Sequence, residues 1–300
     1  MLMKSCFFGR IIIMLLAAGC WTAAAQAAPP PPPIKLAINA PRGSVETAKW
    51  EALAKQLSAK VGKDILVMPY PPAKIGDAVA NGEVDFALVN PVSAVIVNVK
   101  YNARPLVTMK AQGTPYFAGV IIASQRSGIT KIADLKGKKV MGYQIGTSAG
   151  GYVFQAYHLL QKGINPQKDF ALFKEARRQD EIPLEVELGL MDAGLVRSGV
   201  LESMAKEGLI DLGKIVVLDQ KRDELPQLHS TDLYPEWFLM AGENTDAELA
   251  DKLKAAALSV KAKDPAAKEA GIDGFVEAIS LDGLKKALKA LKLAPYENEP

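Results

Sequence analysis

The stretch KVMGYQIGTSAGGYVFQAYHLLQKG, residues 139–163, is the most informative part of the chain for its fold. Residues 139–144 have the apolar and aromatic character of a buried strand, and residues 153–162 have the apolar spacing of a helix that Gly163 ends. The glycine-rich segment 146–151 joins the two. A strand that turns directly into a helix is half of a β-α-β unit, and such units build parallel sheets with helices on their faces.

The same alternation of strand and helix continues on both sides of this stretch. Further strands are predicted at residues 34–40, 65–70, 84–89, 118–124, 191–197 and 215–219. Helical patterns lie between them and fill most of the tail from Asp246 onward. We therefore predict an α/β fold of two lobes, each a mostly parallel sheet flanked by helices. Ligands of open α/β sheets bind beyond the carboxyl ends of the strands, so a cleft between the lobes is the expected site.

The composition excludes several classes of protein. Of the 300 residues, 49% are hydrophobic and 23% charged, which is a globular and not a disordered composition. With 36 basic and 33 acidic residues the formal charge is +3, too balanced for a nucleic-acid-binding protein. Two histidines and two cysteines leave little for a transition-metal site. We expect no cofactor and no metal.

The first 27 residues have the pattern of a secretory signal peptide. Lys4 and Arg10 precede the apolar run 11–18, and Ala25-Gln26-Ala27 is a small-x-small cleavage site. The run is shorter than the roughly 20 residues of a membrane-spanning helix. The predicted location is therefore the periplasm.

A second processing site lies inside the leader. Leu16-Ala17-Ala18-Gly19-Cys20 is similar to a lipobox, and cleavage there would leave a lipid anchor on Cys20 as the only membrane attachment. Residues 28–33 hold five consecutive prolines and are predicted to be a linker, either a stiff spacer or a disordered terminus. Both cysteines, Cys6 and Cys20, lie in the leader, so the predicted folded domain has no thiol and no disulfide.

The segment 146–151 is the strongest local indication of a ligand site. Thr147 and Ser148 supply hydroxyls, and Ala149 and Gly150 supply backbone N–H groups at the start of a helix. Such a helix start binds anions through its amides and its dipole. The alternative is ordinary N-capping by Thr147 or Ser148.

Other candidate ligand residues also follow predicted strands. Asn90 could donate its amide to an oxyanion or only cap the next helix. Arg197, followed by Ser198, could bind an oxyanion in a bidentate manner, or form a salt bridge to Asp192 or Glu202. Two weaker candidates complete the set: Arg42, after the first strand, and Tyr116, for which core or hinge packing is the alternative.

Catalytic motifs are missing from the sequence. It has no G-x-S-x-G elbow, and without a cysteine after the leader no Cys–His pair can form. The sequence therefore predicts a binding protein, with an exported enzyme on the same fold as the rival.

Several stretches are similar in order and spacing to the PhnD-like phosphate, phosphite and phosphonate binding proteins of bacterial ABC importers. The quoted matches are VDFALVNPVSA (84–94), YFAGVIIASQRSGITKIADLKGKKV (116–140), GTSAGGY (146–152), INPQKDF (164–170) and MDAGLVRSGVLESM (191–204). The chain resembles most the branch shared with periplasmic sensor domains of histidine kinases, such as the tetrathionate sensor. Residues 230–237, STDLYPEW, are similar to that branch.

The resemblance implies a type II periplasmic-binding fold that closes on its ligand like a hinge. Lobe 1 would comprise residues 34–117 and 225–300, and lobe 2 residues 118–224. It also implies a phosphonate group bound at the helix start, on Thr147, Ser148, Ala149 and Gly150.

This chain departs from the phosphonate receptors at several of their ligand positions. Ala149 replaces a hydroxyl, and Val89 stands where they have a tyrosine. Their acidic residue falls near Gly199 and their histidine near Gln179. The predicted ligand is therefore a plain oxyanion or another small acid. The predicted partner is an ABC permease, with a membrane histidine kinase as the alternative.

Overall fold

The computed structural model describes residues 32–39 and 44–298. The predicted signal peptide, the lipobox at Cys20 and the candidate Arg42 lie outside the described residues. In the described part of the chain, no helix is both long enough and apolar enough to cross a bilayer.

Strands and helices alternate through most of the described chain. The strands are β1 (Ile34–Asn39), β2 (Ile65–Tyr70), β3 (Phe86–Val89), β4 (Arg104–Lys110), β5 (Tyr116–Phe117), β6 (Gly119–Ser124), β7 (Lys139–Tyr143), β8 (Leu172–Ala176), β9 (Ala193–Arg197), β10 (Ile215–Val217), β11 (Tyr234–Pro235), β12 (Phe238–Ala241) and β13 (Gly274–Glu277). The α-helices are α1 (Ser44–Val61), α2 (Pro72–Ala80), α3 (Pro91–Tyr101), α4 (Phe154–Gln161), α5 (Glu181–Glu187), α6 (Val200–Lys206), α7 (Ala247–Leu258), α8 (Pro265–Ala270) and α9 (Asp282–Ala290).

The first sheet has six strands in the order β13-β4-β12-β3-β1-β2. Strand β1 pairs in parallel with β2 and β3, whereas β12 runs antiparallel between β3 and β4. Every residue of β3 and β12 is buried, because helices cover both faces at the centre of this sheet. Helices α1, α7 and α8 pack together on one face, and α2, α3 and α9 lie on the other.

The second sheet has five strands in the order β10-β6-β9-β7-β8. Strands β8, β7 and β9 are parallel, and β6 is antiparallel to β9 and β10. Helix α5 packs closely on this sheet at Gly194, where an added Cβ would lie 2.4 Å from the Ile182 side chain. The absence of a side chain at Gly194 lets the helix approach the strand.

A two-stranded ladder of β5 and β11 lies where the chain leaves the first sheet and returns to it. The backbone N–H of Glu236, just after β11, donates to the Pro115 carbonyl at 2.8 Å. This ladder places Phe117 and Glu236 beside the strand ends of both sheets.

The predicted α/β class, with two sheets of strands that mostly run one way, is confirmed. Six strands were missed: β4, β5, β8, β11, β12 and β13. The tail, predicted to be mostly helical, contains the short edge strand β13. The helix predicted from residue 153 is preceded by a π-helical turn, Ala149–Val153, formed by the glycine-rich segment itself.

Candidate functional site

A cavity of about 130 Å³ lies between the carboxyl ends of the parallel strands of the two sheets. Twelve residues line it: Asn39, Pro72, Asn90, Phe117, Tyr143, Gln144, Ser148, Ala149, Gly150, Gln179, Arg197 and Trp237. Strand β1 ends at Asn39, β9 ends at Arg197, and Asn90 and Gln144 directly follow β3 and β7. This is the position at which open α/β sheets bind ligands.

The glycine-rich turn forms one wall of the cavity. Ser148 caps the π-helical turn, since its Oγ accepts the N–H of Gly151 at 3.1 Å. A Cβ on Gly150 would lie 2.8 Å from the Phe117 ring and 3.1 Å from the Arg197 Cβ. A glycine at position 150 therefore lets the turn pack directly against the arginine.

Arg197 is the only charged residue among the described residues that line the cavity. Its guanidinium carbon lies 4.1 Å from the centre of the Phe117 ring, and its backbone N–H donates to Gln179 Oε1 at 2.9 Å. The guanidinium forms an ion pair with Glu236. Position and charge leave Arg197 able to bind an oxyanion that enters the cavity.

The salt-bridge alternative for Arg197 named two partners, Asp192 and Glu202, and both were wrong. Asp192 accepts the backbone N–H of Lys139 at 2.8 Å, and Glu202 accepts that of Leu228. The Arg197 partner comes instead from the ladder between the sheets, 39 residues further along the chain.

Glu236 is deeply buried behind Arg197, with a side chain only 2% exposed. Burial raises the pKa of the Glu236 carboxyl, and the adjacent Arg197 guanidinium opposes that rise. One carboxylate oxygen bonds the guanidinium, whereas Oε2 has no hydrogen-bond partner among the described residues. The positive charge at the cavity is therefore balanced by a negative charge just behind it.

Two asparagines from the first sheet face the turn and Arg197 across the cavity. Asn39 Oδ1 accepts the backbone N–H of Asn90 at 2.9 Å, and Asn90 Oδ1 in turn accepts the N–H of Ser93 at 3.0 Å. Both side-chain oxygens are thus occupied by backbone donors. Asn39 is 6% exposed, and its Nδ2 is buried without a partner in the described structure.

The polar side chains around the cavity share one property. Asn39, Asn90, Ser148 and Gln179 each use a side-chain oxygen to accept a backbone N–H. Their amide N–H₂ and hydroxyl groups donate no hydrogen bond to the described residues. The site therefore offers donors, together with one guanidinium, to whatever fills it.

The structure brings five of the predicted ligand residues to this cavity: Asn90, Ser148, Ala149, Gly150 and Arg197.

Three predicted residues do not line the cavity. The Thr147 hydroxyl is directed to the Gln144 carbonyl, at 3.5 Å. Ser198 Oγ accepts the N–H of Ala118 at 3.1 Å and is buried in the second sheet. Tyr116 belongs to the ladder between the sheets and borders a different cavity.

Seven lining residues were not among the predicted ligand residues: Asn39, Pro72, Phe117, Tyr143, Gln144, Gln179 and Trp237. Gln179 lies in a charged run, RRQD, that is typical of solvated surface, and its neighbours Arg177 and Arg178 are indeed exposed. The signal for Asn39 was its place at the end of a predicted strand, the same criterion that identified Asn90 and Arg197.

A larger cavity, of about 360 Å³, lies at the opposite edge of the first sheet. It is lined by Asp85, which precedes β3, and by Gly242, which follows β12. This is the amino-end side of the parallel strands, away from the turn and Arg197. The smaller cavity is therefore the candidate ligand site.

No group of three or more histidine, cysteine, aspartate or glutamate side chains with metal-binding geometry is present among the residues described.

Residues 40–281 match the family model of the periplasmic phosphonate substrate-binding proteins of ABC transporters. The chain belongs to this phosphonate-binding family. The tetrathionate sensor histidine kinase TtrS of Salmonella typhimurium is 30% identical over 234 residues, which are 76% of this chain and 39% of the kinase. The chain thus spans well under half the length of this relative.

Solved structures show the same fold. PhnD1 from Prochlorococcus marinus, in complex with methylphosphonate, has a TM-score of 0.68 at 15% identity and covers 86% of this chain and 98% of its own. XAC2383 from Xanthomonas citri, bound to ATP, has a TM-score of 0.72 at 15% identity with the same coverage. These likenesses confirm the fold of a type II periplasmic binding protein.

Proposed function

We propose that this protein is a periplasmic receptor that binds a small oxyanion in the cavity between the two sheets and delivers it to an ABC importer. Membership of the phosphonate-binding family supports the class of protein. The cavity supports the class of ligand, and the relatives support the class of partner.

The hydrogen-bonding polarity of the cavity is the observation that carries the proposal. Four lining side chains have their acceptor oxygens occupied by backbone N–H groups, and their donors are directed at no described partner. A ligand that satisfies such a site must supply acceptors. Oxyanions do so, and their charge complements Arg197.

The size of the cavity supports a small ligand. Its volume of about 130 Å³ is well below the 300–1,000 Å³ of pockets for drug-sized molecules. A tetrahedral oxyanion with at most a short substituent suits it.

The hydrogen-bond donors come from the strand ends of both sheets, so ligand binding affects how the two lobes sit relative to each other. Asn39 ends β1 and Asn90 follows β3 of the first sheet, whereas Arg197 ends β9 of the second sheet and Ser148 and Gln179 follow its strands β7 and β8. Only a conformation in which both groups reach the anion gains all of these contacts. Binding therefore favours closure of two hinged lobes, with residues 34–117 and 225–300 in one and 118–224 in the other.

A thermal-shift panel tests the proposed function. The purified exported protein is mixed with phosphate, phosphite, methylphosphonate, sulfate, thiosulfate, tetrathionate, carboxylates and amino acids. A ligand at 100 times its Kd stabilises the folded state by about 2.7 kcal/mol, which raises Tm by several degrees. We expect a shift with at least one oxyanion. No shift with any anion would contradict the proposal.

A second candidate is a receptor that presents its ligand to a membrane histidine kinase. The 30% identity to the tetrathionate sensor kinase over 76% of this chain favours it. The binding site would be the same, and only the partner would differ. Affinity capture from membranes that contain the permease or the kinase encoded beside this protein's gene distinguishes the two candidate functions. Only the true partner is retained when the ligand is present.

A further inference from the structure

The charge balance of the cavity restricts the ligand further than its hydrogen bonds do. Within the described lining, Arg197 carries the only formal charge, and it is already paired with Glu236. The carboxylate does not line the cavity but lies directly behind the guanidinium. An anion that binds Arg197 is therefore close to a buried negative charge.

Glu236 is held in place beside Arg197. Its side chain is 2% exposed, its backbone N–H is bonded to Pro115, and Arg197 is its ion-pair partner. The second carboxylate oxygen, Oε2, has no partner among the residues described. Water therefore screens the carboxylate little, and its field reaches the cavity.

We propose that Glu236 makes the site selective for anions with a single negative charge. This inference rests on the proposed function, since it concerns the charge of the same ligand. With Glu236 ionised against Arg197, the pair is neutral, and a monovalent anion adds one negative charge to the closed site. A divalent anion adds two: its attraction to Arg197 and its repulsion by the carboxylate both double and largely offset each other, whereas the cost of taking the anion out of water grows with the square of its charge.

The test compares two tetrahedral sulfur anions in two proteins. Sulfate carries two negative charges and methanesulfonate carries one. The measurements are made at about pH 8, where both anions keep their charge and which is well above the ordinary pKa values of protein carboxyl groups. Their Kd values are measured by isothermal titration for the wild type and for Glu236→Gln. Glutamine keeps the size of the side chain and removes its charge.

We expect the wild type to bind methanesulfonate at least tenfold more tightly than sulfate. In Glu236→Gln both anions should bind more tightly, and the ratio of the sulfate Kd to the methanesulfonate Kd should fall at least tenfold. Any difference in shape between the two probes affects both proteins alike. The change in this ratio therefore measures the effect of the Glu236 charge. Glu243→Gln, at an exposed glutamate that bonds Asn102, should leave the ratio unchanged.

Two results would overturn the inference: equal or tighter sulfate binding by the wild type, or a ratio that Glu236→Gln does not change. If the ion pair had a purely structural role, Glu236→Gln would weaken the binding of both anions equally. If Glu236→Gln does not fold, the wild-type ratio still decides, because a wild type that does not prefer methanesulfonate to sulfate overturns the inference. If no anion in the thermal-shift panel binds the wild type, the proposed function fails, and the inference fails with it.

Discussion

Asn39 and Asn90 are joined by a hydrogen bond that fixes the direction of a buried amide. Asn39 Oδ1 accepts the Asn90 backbone N–H at 2.9 Å, which leaves the Asn39 Nδ2 buried and without a described partner. A buried donor left unsatisfied costs about 1–3 kcal/mol. A ligand that accepts a hydrogen bond from Asn39 Nδ2 would remove that cost.

Asn39→Asp should abolish this contribution while it preserves the fold. The carboxylate still accepts the Asn90 N–H, but it replaces a donor with a negative charge beside the anion. We expect anion affinity to fall at least tenfold, equivalent to about 1.4 kcal/mol, by isothermal titration.

Asn165→Asp is the matched control, since Asn165 Oδ1 also accepts a backbone N–H, from Gln167 at 2.9 Å, and Asn165 does not line the cavity. Equal affinities of the Asn39 and Asn165 variants would show that Asn39 does not contact the ligand.

Ser148→Ala and Thr147→Ala should differ in their effects, although the sequence analysis gave both hydroxyls the same two candidate roles. Ser148 caps the π-helical turn and lines the cavity, so its loss should cost about 1 kcal/mol of stability and weaken anion binding. The Thr147 hydroxyl makes only a long bond to Gln144, so its loss should change stability by less than about 0.5 kcal/mol. Denaturant unfolding and titration measure both. Matching effects of the two variants would contradict the assigned geometry.

Gly150→Ala should damage the site through packing. The added Cβ would lie 2.8 Å from Phe117 and 3.1 Å from Arg197, so both side chains must move. Overpacking of this kind costs about 1–3 kcal/mol, and the displaced guanidinium should bind anions less tightly.

Gly283→Ala is the control, because an added Cβ there meets nothing within 4 Å and Gly283 lies in helix α9. It should be neutral or stabilising by up to about 1 kcal/mol. If Gly150→Ala were equally harmless in unfolding and binding measurements, the close contact would be wrong.

His158 should make the folded state sensitive to mildly acidic pH. Its Nε2 lies 2.7 Å from Asp219 Oδ2, and burial lowers the pKa of His158 below its ordinary 6.5, although Asp219 opposes that shift. The unfolded chain then binds a proton that the folded chain does not, so stability is lost as pH falls below about 6.5. The slope is at most about 1.4 kcal/mol per pH unit.

Urea unfolding between about pH 7.5 and 5.5 measures this loss, and His158→Gln should reduce the slope over that range. Parallel pH profiles of wild type and variant would exclude His158 as the cause.

The sequence predicted the part of the site that is local along the chain. The strand-turn-helix of residues 139–163 located Ser148, Ala149 and Gly150, because glycine and hydroxyl residues between a strand and a helix indicate a tight turn. Asn90 and Arg197 were found by the same rule of strand ends.

The rest of the site depends on contacts that are distant along the chain. Glu236 and Arg197 are 39 residues apart, and their pairing depends on the ladder of β5 and β11, which contains only two residues per strand. Strand β12 is likewise only four residues long, although it lies fully buried in the middle of the first sheet. Such short elements have too few residues to show a periodic pattern.

A crystal structure of the protein with the oxyanion that gives the largest thermal shift tests the central claim most directly. We predict one anion in the cavity between the sheets, with oxygens about 2.7–3.2 Å from Asn39 Nδ2 and from the Arg197 guanidinium. An anion bound elsewhere, such as at the cavity lined by Asp85 and Gly242, with this cavity unfilled, would contradict it.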